Sequence, residues 1–153
     1  MKRVLFVCTG NICRSPTADG VARFWAVKTG MDGELQFDSA GTQAYHVGET
    51  PDPRAQRVAA QRGYDLSRLR ARKVVARDFE YFDLILAMDK GHMRELQRDC
   101  PPEHQHKLAM FLSFAERFPV GDVPDPYYGG EHGFEHVLDM CEDAVQGIID
   151  HLR

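Results

Sequence analysis

Cys8 and Arg14 stand at the two ends of the run Cys8-Thr9-Gly10-Asn11-Ile12-Cys13-Arg14, with Ser15-Pro16 directly after it. Cysteine is a strong nucleophile once it is a thiolate, and arginine is a planar fork suited to two oxygens of a phosphate. Gly10 and Asn11 tolerate left-handed backbone angles, so successive N–H groups between the two can converge on one anion. A positive setting of this kind favours the thiolate at Cys8, and Ser15 is placed to donate to its sulfur. The chemistry expected is attack on a phosphate monoester, with Cys8 as nucleophile. The run lacks the Gly-Lys-Ser/Thr of a nucleotide-binding P-loop. Four residues separate Cys8 from Cys13, so the pair is not a Cys-X-X-Cys redox motif either. Read alone, Cys8 would be a small buried hydrophobe ending a strand; its spacing to arginine and the Gly-Asn and Ser-Pro pairs favour catalysis.

Such a loop needs rigid elements on both sides. The unbroken apolar run Val4-Leu5-Phe6-Val7 predicts a strand buried on both faces. Ser15-Pro16 reads as N-cap and first residue of a helix, with Ala18, Val21, Ala22 and Trp25 on one face and Gly30 as its stop. Leu35 to Ser39 reads as a second strand, and Asp52-Pro53 opens a helix that Gly63 ends. Leu84-Ile85-Leu86-Ala87-Met88 predicts a third strand. A helix from Lys90 stops before Pro101-Pro102, and Lys107 to Phe111 reads as a fourth strand. Phe134, Val137, Leu138, Cys141, Val145, Ile148 and Leu152 form a helical stripe. Strands alternating with helices indicate an α/β domain: three layers over residues 1–153, a four-stranded parallel sheet flanked by helices, and a phosphate-binding loop after the first strand. Pro119 to Gly133 is the least regular stretch, of a length that is often a functional loop.

Composition narrows the classes. The chain has 153 residues and 43% hydrophobic content, which suits one domain with one core. A formal net charge of −4 gives no support to a nucleic-acid partner. The basic run Arg68, Arg70, Arg72, Lys73 and Arg77 reads as a solvated face. The apolar run near the N-terminus falls short of the roughly 7–15 residues of a secretory signal, and nothing approaches the roughly 18 of a membrane span. Four cysteines do not make a disulfide scaffold. Free thiols in a reducing cytoplasm, and no membrane partner, are the expectation. His132 with His136, and His104 with His106, have spacings a metal could use, but a third ligand is missing and exposed histidines are the better reading.

The first motif closely resembles the signature of low-molecular-weight protein tyrosine phosphatases. Asp38-Ser39-Ala40-Gly41-Thr42, Pro51-Asp52-Pro53-Arg54, Ala71-Arg72, Met88-Asp89 and Asp125-Pro126-Tyr127 match that family in the same order. The resemblance implies hydrolysis of protein phosphotyrosine, and of small aryl phosphates, by double displacement through a cysteinyl-phosphate. Cys8, Arg14 and Asp125 would be the catalytic residues, with Asp125 as the acid that a poor leaving group requires. Without the family, Asp125-Pro126 would read as a turn. Thr9, Gly10, Asn11, Ile12, Cys13 and Ser15 would bind phosphate or support the loop, Asn11 through hydrogen bonds that include Ser39.

Tyr45, Tyr127 and Tyr128 would form the substrate rim, although ordinary surface packing explains a tyrosine equally well. Ile12, where similar protein-arginine phosphatases carry threonine, favours phosphotyrosine. Cys13 would pair reversibly with Cys8 under oxidation, or merely fill the loop interior. No metal or other cofactor is implied. The implied partner is a tyrosine-phosphorylated protein, such as a bacterial tyrosine kinase, and the implied state is a monomer. Two departures stand out: Leu69 where the family commonly has a histidine, and His92 where it often has asparagine. The rival functions are a thiol-dependent arsenate reductase of the same fold, which needs a relay of further cysteines near the third strand, and a non-catalytic phosphotyrosine-binding module.

Overall fold

The computed structural model describes residues 1–127 and 130–153. Its sheet has four parallel strands in the order β2-β1-β3-β4: β1 is Lys2–Cys8, β2 Leu35–Gly41, β3 Leu84–Ala87 and β4 Leu108–Met110. Among the described residues the α-helices are α1 Arg14–Lys28, α2 Pro53–Gln61, α3 Ala76–Tyr81, α4 Lys90–Asp99 and α5 Gly130–Leu152. Short 3₁₀ turns at Pro102–Lys107 and Phe111–Phe114 flank β4.

The alternation of side chains along β1 sorts the core into two layers. Val4 and Phe6 point to the face covered by α1, α2 and α5, where Ala18, Val21, Val58, Val137, Leu138 and Ile148 are buried. Leu5 and Val7 point to the opposite face, against Phe79 of α3 and Leu96 of α4. Val4, Leu5, Phe6 and Val7 are all completely buried. Burying side chains of this size stabilises the fold by about 1.5–3 kcal/mol each. Phe6 meets Phe111 edge to face at 5.7 Å between ring centres, so the central strand is also tied to the turn after β4. No helix of the described residues is long and apolar enough to cross a membrane.

The expected four-stranded parallel α/β sheet is present. Two local expectations need correction, and one short helix has no counterpart among the elements expected. Helix α1 begins at Arg14, with Cys13 rather than Ser15 in the cap position. Ser15 is already helical because its hydroxyl is engaged by the loop instead of capping N–H groups. The helix α3 has no clear signal in its short sequence; Asp78 makes it by accepting from the Val75 N–H. Finally, Arg72 does not belong to a solvated face. It is partly buried between Asp38 and Asp78, with ion pairs of 3.1 and 3.0 Å.

The strand order places β1 between its two sequence successors. The chain leaves β1 toward β2 on one side and later returns to β3 on the other. This is a topological switch point, and it opens a crevice at the carboxyl end of β1. Cys8 is the last residue of that strand.

Candidate active site

The loop after β1 is held from outside. The Thr42 N–H donates to the Cys8 carbonyl at 2.9 Å, Gln43 to Thr9 at 3.0 Å, and Asp52 to Ile12 at 2.8 Å. The carbonyls therefore face outward. Among the described residues, no protein group takes the N–H groups of Gly10, Asn11, Ile12 or Cys13. They remain free for an anion at the start of α1, where the helix dipole is positive. Asn11 has φ +59°, the one positive φ at a non-glycine residue among those described. Gly41 must lack a side chain, since a Cβ there would sit 2.5 Å from the Thr9 oxygen.

Asn11 is locked by its own amide. Nδ2 donates to Ser15 Oγ at 2.8 Å and to Ser39 Oγ at 2.9 Å, and Oδ1 accepts the Arg72 N–H at 3.0 Å. Ser15 Oγ lies 2.9 Å from Cys8 Sγ. Because Asn11 already donates to Ser15, the Ser15 proton is free to point at the sulfur. The family's histidine link is absent: Leu69 packs against the core instead. Behind Ser39 lies Asp19, completely buried. It accepts from Arg23 Nε at 2.6 Å. Ser39 is close enough to favour the charge of Asp19, yet Oδ2 has no aligned hydrogen-bond partner. Burial outweighs these contacts and pushes the Asp19 carboxyl up to about 6.

Arg14 is 4% exposed and tightly held. Its Nη1 donates to Asp89 Oδ2 at 2.9 Å and to the Val123 carbonyl at 3.0 Å, while Nη2 reaches Thr9 Oγ1 at 3.4 Å. Asp89 caps α4 by accepting the His92 N–H. Burial opposes its charge, but that N–H, His92 and Arg14 together hold the carboxyl below the usual range. His92 Nε2 lies 2.7 Å from Thr9 Oγ1. Burial, with the Arg14 charge, lowers the imidazole to about 4, so His92 is neutral near pH 7.

Asp125 sits more than a hundred residues away in sequence, in the irregular loop before α5. That loop is stapled at several points. Asp143 accepts the Glu116 and Arg117 N–H groups at 3.2 and 2.8 Å, the Val123 N–H donates to the Met88 carbonyl at 2.8 Å, and Asp122 accepts from Lys90 at 3.0 Å. Val123 is fully buried. Asp125 Oδ1 accepts the Tyr127 N–H at 3.0 Å, so Asp-Pro-Tyr is also a turn. Oδ2 stands 3.7 Å from Arg14 Nη2, and the side chain remains 48% exposed.

Cys8, Thr9, Gly10, Ile12, Cys13, Arg14, Tyr45, His46, Asp125 and Tyr127 line one cleft of about 280 Å³. Tyr45, 78% exposed, and Tyr127, 38% exposed, stand at its mouth. Arg54, held by Asp52, stacks on Tyr127 at 5.3 Å and on Phe134 at 4.7 Å. Tyr128 lies outside the described residues.

Reading the sequence for reactive residue types missed Val123, whose carbonyl does the work and carries no side-chain signal. It also missed His46, which packs on Gly10 with Nδ1 3.0 Å from Glu49. Asp89 could have been found, because an aspartate at the start of a helical pattern is a capping signal. The remaining cysteines do not form a relay. Cys141 is buried on the α5 side of the sheet and Cys100 on the α4 side, and burial pushes both thiols up. His132 is fully exposed, and His136 packs on Phe118. Among the described residues, no three His, Cys, Asp or Glu side chains gather where a metal ion could be held.

Comparison with known proteins agrees with this geometry over the whole chain. The family model described as low molecular weight phosphotyrosine protein phosphatase matches residues 3–153. A low molecular weight protein-tyrosine-phosphatase of Streptomyces coelicolor is 44% identical over 99% of this chain and 93% of its own. The Homo sapiens low molecular weight phosphotyrosine protein phosphatase is 37% identical over 97% and 94%. A crystal structure of a protein tyrosine phosphatase from Entamoeba histolytica superposes with a TM-score of 0.96, at 41% identity over 99% of this chain and 97% of that one. The chain belongs to the low molecular weight phosphotyrosine protein phosphatase family.

Proposed function

We propose that this protein is an enzyme that hydrolyses protein phosphotyrosine, and small aryl phosphates with it, through a cysteinyl-phosphate. The observation that carries this reading is the convergence in one cleft of Cys8, a set of unpaired loop N–H groups, Arg14 and Asp125. Cys8 Sγ attacks phosphorus in line with the ester oxygen, and the loop N–H groups with Arg14 bear the charge of the equatorial oxygens. Asp125 protonates the departing oxygen, then takes a proton from the water that releases phosphate. Tyr45 and Tyr127 offer apolar walls to an aromatic ring while the phosphate is on the floor. A binding module would need neither a nucleophile nor an acid at the mouth. An arsenate reductase would need cysteines in sequence, and Cys100 and Cys141 lie on opposite faces of the sheet.

The test is turnover of an aryl phosphate in the presence of a chelator. Activity is expected, with inhibition by vanadate and loss on Cys8→Ser; full activity of Cys8→Ser overturns the mechanism. Asp125→Asn should slow phenyl phosphate by about 10²-fold or more. A nitrophenyl ester, whose leaving group needs less help, should slow much less. Equal slowing of the two removes Asp125 as the acid. The partner class is a tyrosine-phosphorylated protein, which the Asp125→Ala variant should trap from a phosphorylated extract.

A further inference from the structure

The side chains of Asp89, His92 and Thr9 close a ring with the guanidinium of Arg14. Nη1 meets Asp89 Oδ2 at 2.9 Å, and Nη2 reaches Thr9 Oγ1 at 3.4 Å. Thr9 Oγ1 is 2.7 Å from His92 Nε2. His92 Nδ1 is 3.1 Å from Asp89 Oδ1, a close contact that is not aligned as a hydrogen bond. Arginine can only donate, so Thr9 Oγ1 accepts from Arg14. With a neutral imidazole carrying its proton on Nδ1, toward Asp89, His92 Nε2 is the acceptor for the Thr9 hydroxyl proton. His92 is 3% exposed, so water does not compete for either nitrogen.

We infer that His92 is a positioning residue for the oxyanion site: it orients the Thr9 hydroxyl so that this oxygen accepts from Arg14, and thereby sets the plane of the guanidinium that meets phosphate. Asp89 Oδ2 and the Val123 carbonyl both hold Nη1; Thr9 Oγ1 is the side chain that restrains the other nitrogen, Nη2. A protonated His92 would donate to Thr9 rather than accept, leaving the hydroxyl proton without this partner. Burial and the Arg14 charge favour the neutral imidazole that the ring requires. The inference rests on the phosphatase reading only for turnover, since anion binding can be read without it.

The experiment compares His92→Leu, Thr9→Val and the double variant with wild type. The readout is the protection of Cys8 from iodoacetamide by inorganic phosphate or vanadate. His92→Leu is expected to weaken protection about tenfold, as loss of one charge-assisted restraint would. Thr9→Val, which keeps shape and removes only the hydroxyl, should weaken it to the same degree. The double variant should be no worse than either single one. His92→Gln, whose amide oxygen can accept where Nε2 does, should recover protection to within about threefold of wild type. The unprotected alkylation rate of Cys8 in His92→Leu should stay close to wild type, because Asp89 and the Val123 carbonyl still hold Nη1 and keep the Arg14 charge near the sulfur. Protection unchanged in folded Thr9→Val, additive losses in the double variant, or a parallel fall in unprotected alkylation would each overturn the inference. Absence of aryl phosphate turnover in wild type would instead sink the phosphatase reading and leave the protection measurement valid.

Discussion

The smallest scale already contains a directional argument. Asn11 gives both amide protons to serine oxygens, and so leaves the hydroxyl protons of Ser15 and Ser39 available to other acceptors. Ser15 then faces Cys8 Sγ at 2.9 Å. Ser15→Ala keeps the helix but removes that donor. A hydrogen bond to a charged atom is worth about 1.5–3 kcal/mol, so kcat for an aryl phosphate should fall roughly tenfold to a hundredfold. Steady-state kinetics beside a melting curve checks this; an unchanged kcat would mean the thiolate needs only the loop and Arg14. Asn11→Ala should do more, since it also frees the strained backbone at φ +59° from its three partners.

Among the elements, the loop before α5 decides how well Asp125 is placed. It carries little regular structure, yet its two ends are fastened. Asp143 of α5 holds the Glu116 and Arg117 N–H groups, and the buried Val123 joins the Met88 carbonyl to Arg14. Asp143→Ala unties one end and removes two hydrogen bonds to a buried carboxylate. Stability should fall by about 1–3 kcal/mol, measured by denaturant unfolding. In kinetics, poor leaving groups should suffer more than good ones, since the acid is then less often in reach. A uniform drop across leaving groups would show that Asp143 supports the fold and not the placement of Asp125.

At the scale of the whole molecule, two buried groups oppose each other across acid pH. Asp19 is raised to about 6, so its charged form is disfavoured in the folded state. From about pH 4 to 6 the native protein binds more protons there than the unfolded chain, and stability falls as pH rises. His92 is lowered to about 4 from 6.5. Over nearly the same window the unfolded chain binds more protons at this site, so stability rises with pH and is lost as pH falls from 6.5 toward 4. Each shift is on the order of 3 kcal/mol, and the two largely offset. Asp19→Asn should therefore leave a stability that climbs from pH 4 to 6.5, and His92→Gln one that declines over the same range. Unfolding midpoints at pH 4, 5, 6 and 7 for the three proteins check the signs. Parallel curves for all three would refute both assignments.

What the sequence by itself determined was local. Apolar runs long enough to be strands, proline and glycine at helix ends, and the Cys8–Arg14 spacing all act within a few residues, so chain order reveals them. The parallel sheet followed from their alternation, and the matching motifs named the family that the comparisons show. Ser15 is legible only in part: its approach to the Cys8 sulfur follows from the spacing, whereas the bond from Asn11 and the cap at Cys13 do not. Arg72 looked like one charge in a solvated run until Asp38 and Asp78 were brought to either side of it. Only the tertiary structure decided which partners complete the site. Val123 contributes a carbonyl, which no residue type encodes, and His92 and Asp19 matter through burial, which depends on everything packed around them. The crevice itself exists because β1 lies between β2 and β3, and strand order is set by long-range packing that no local stretch of sequence carries.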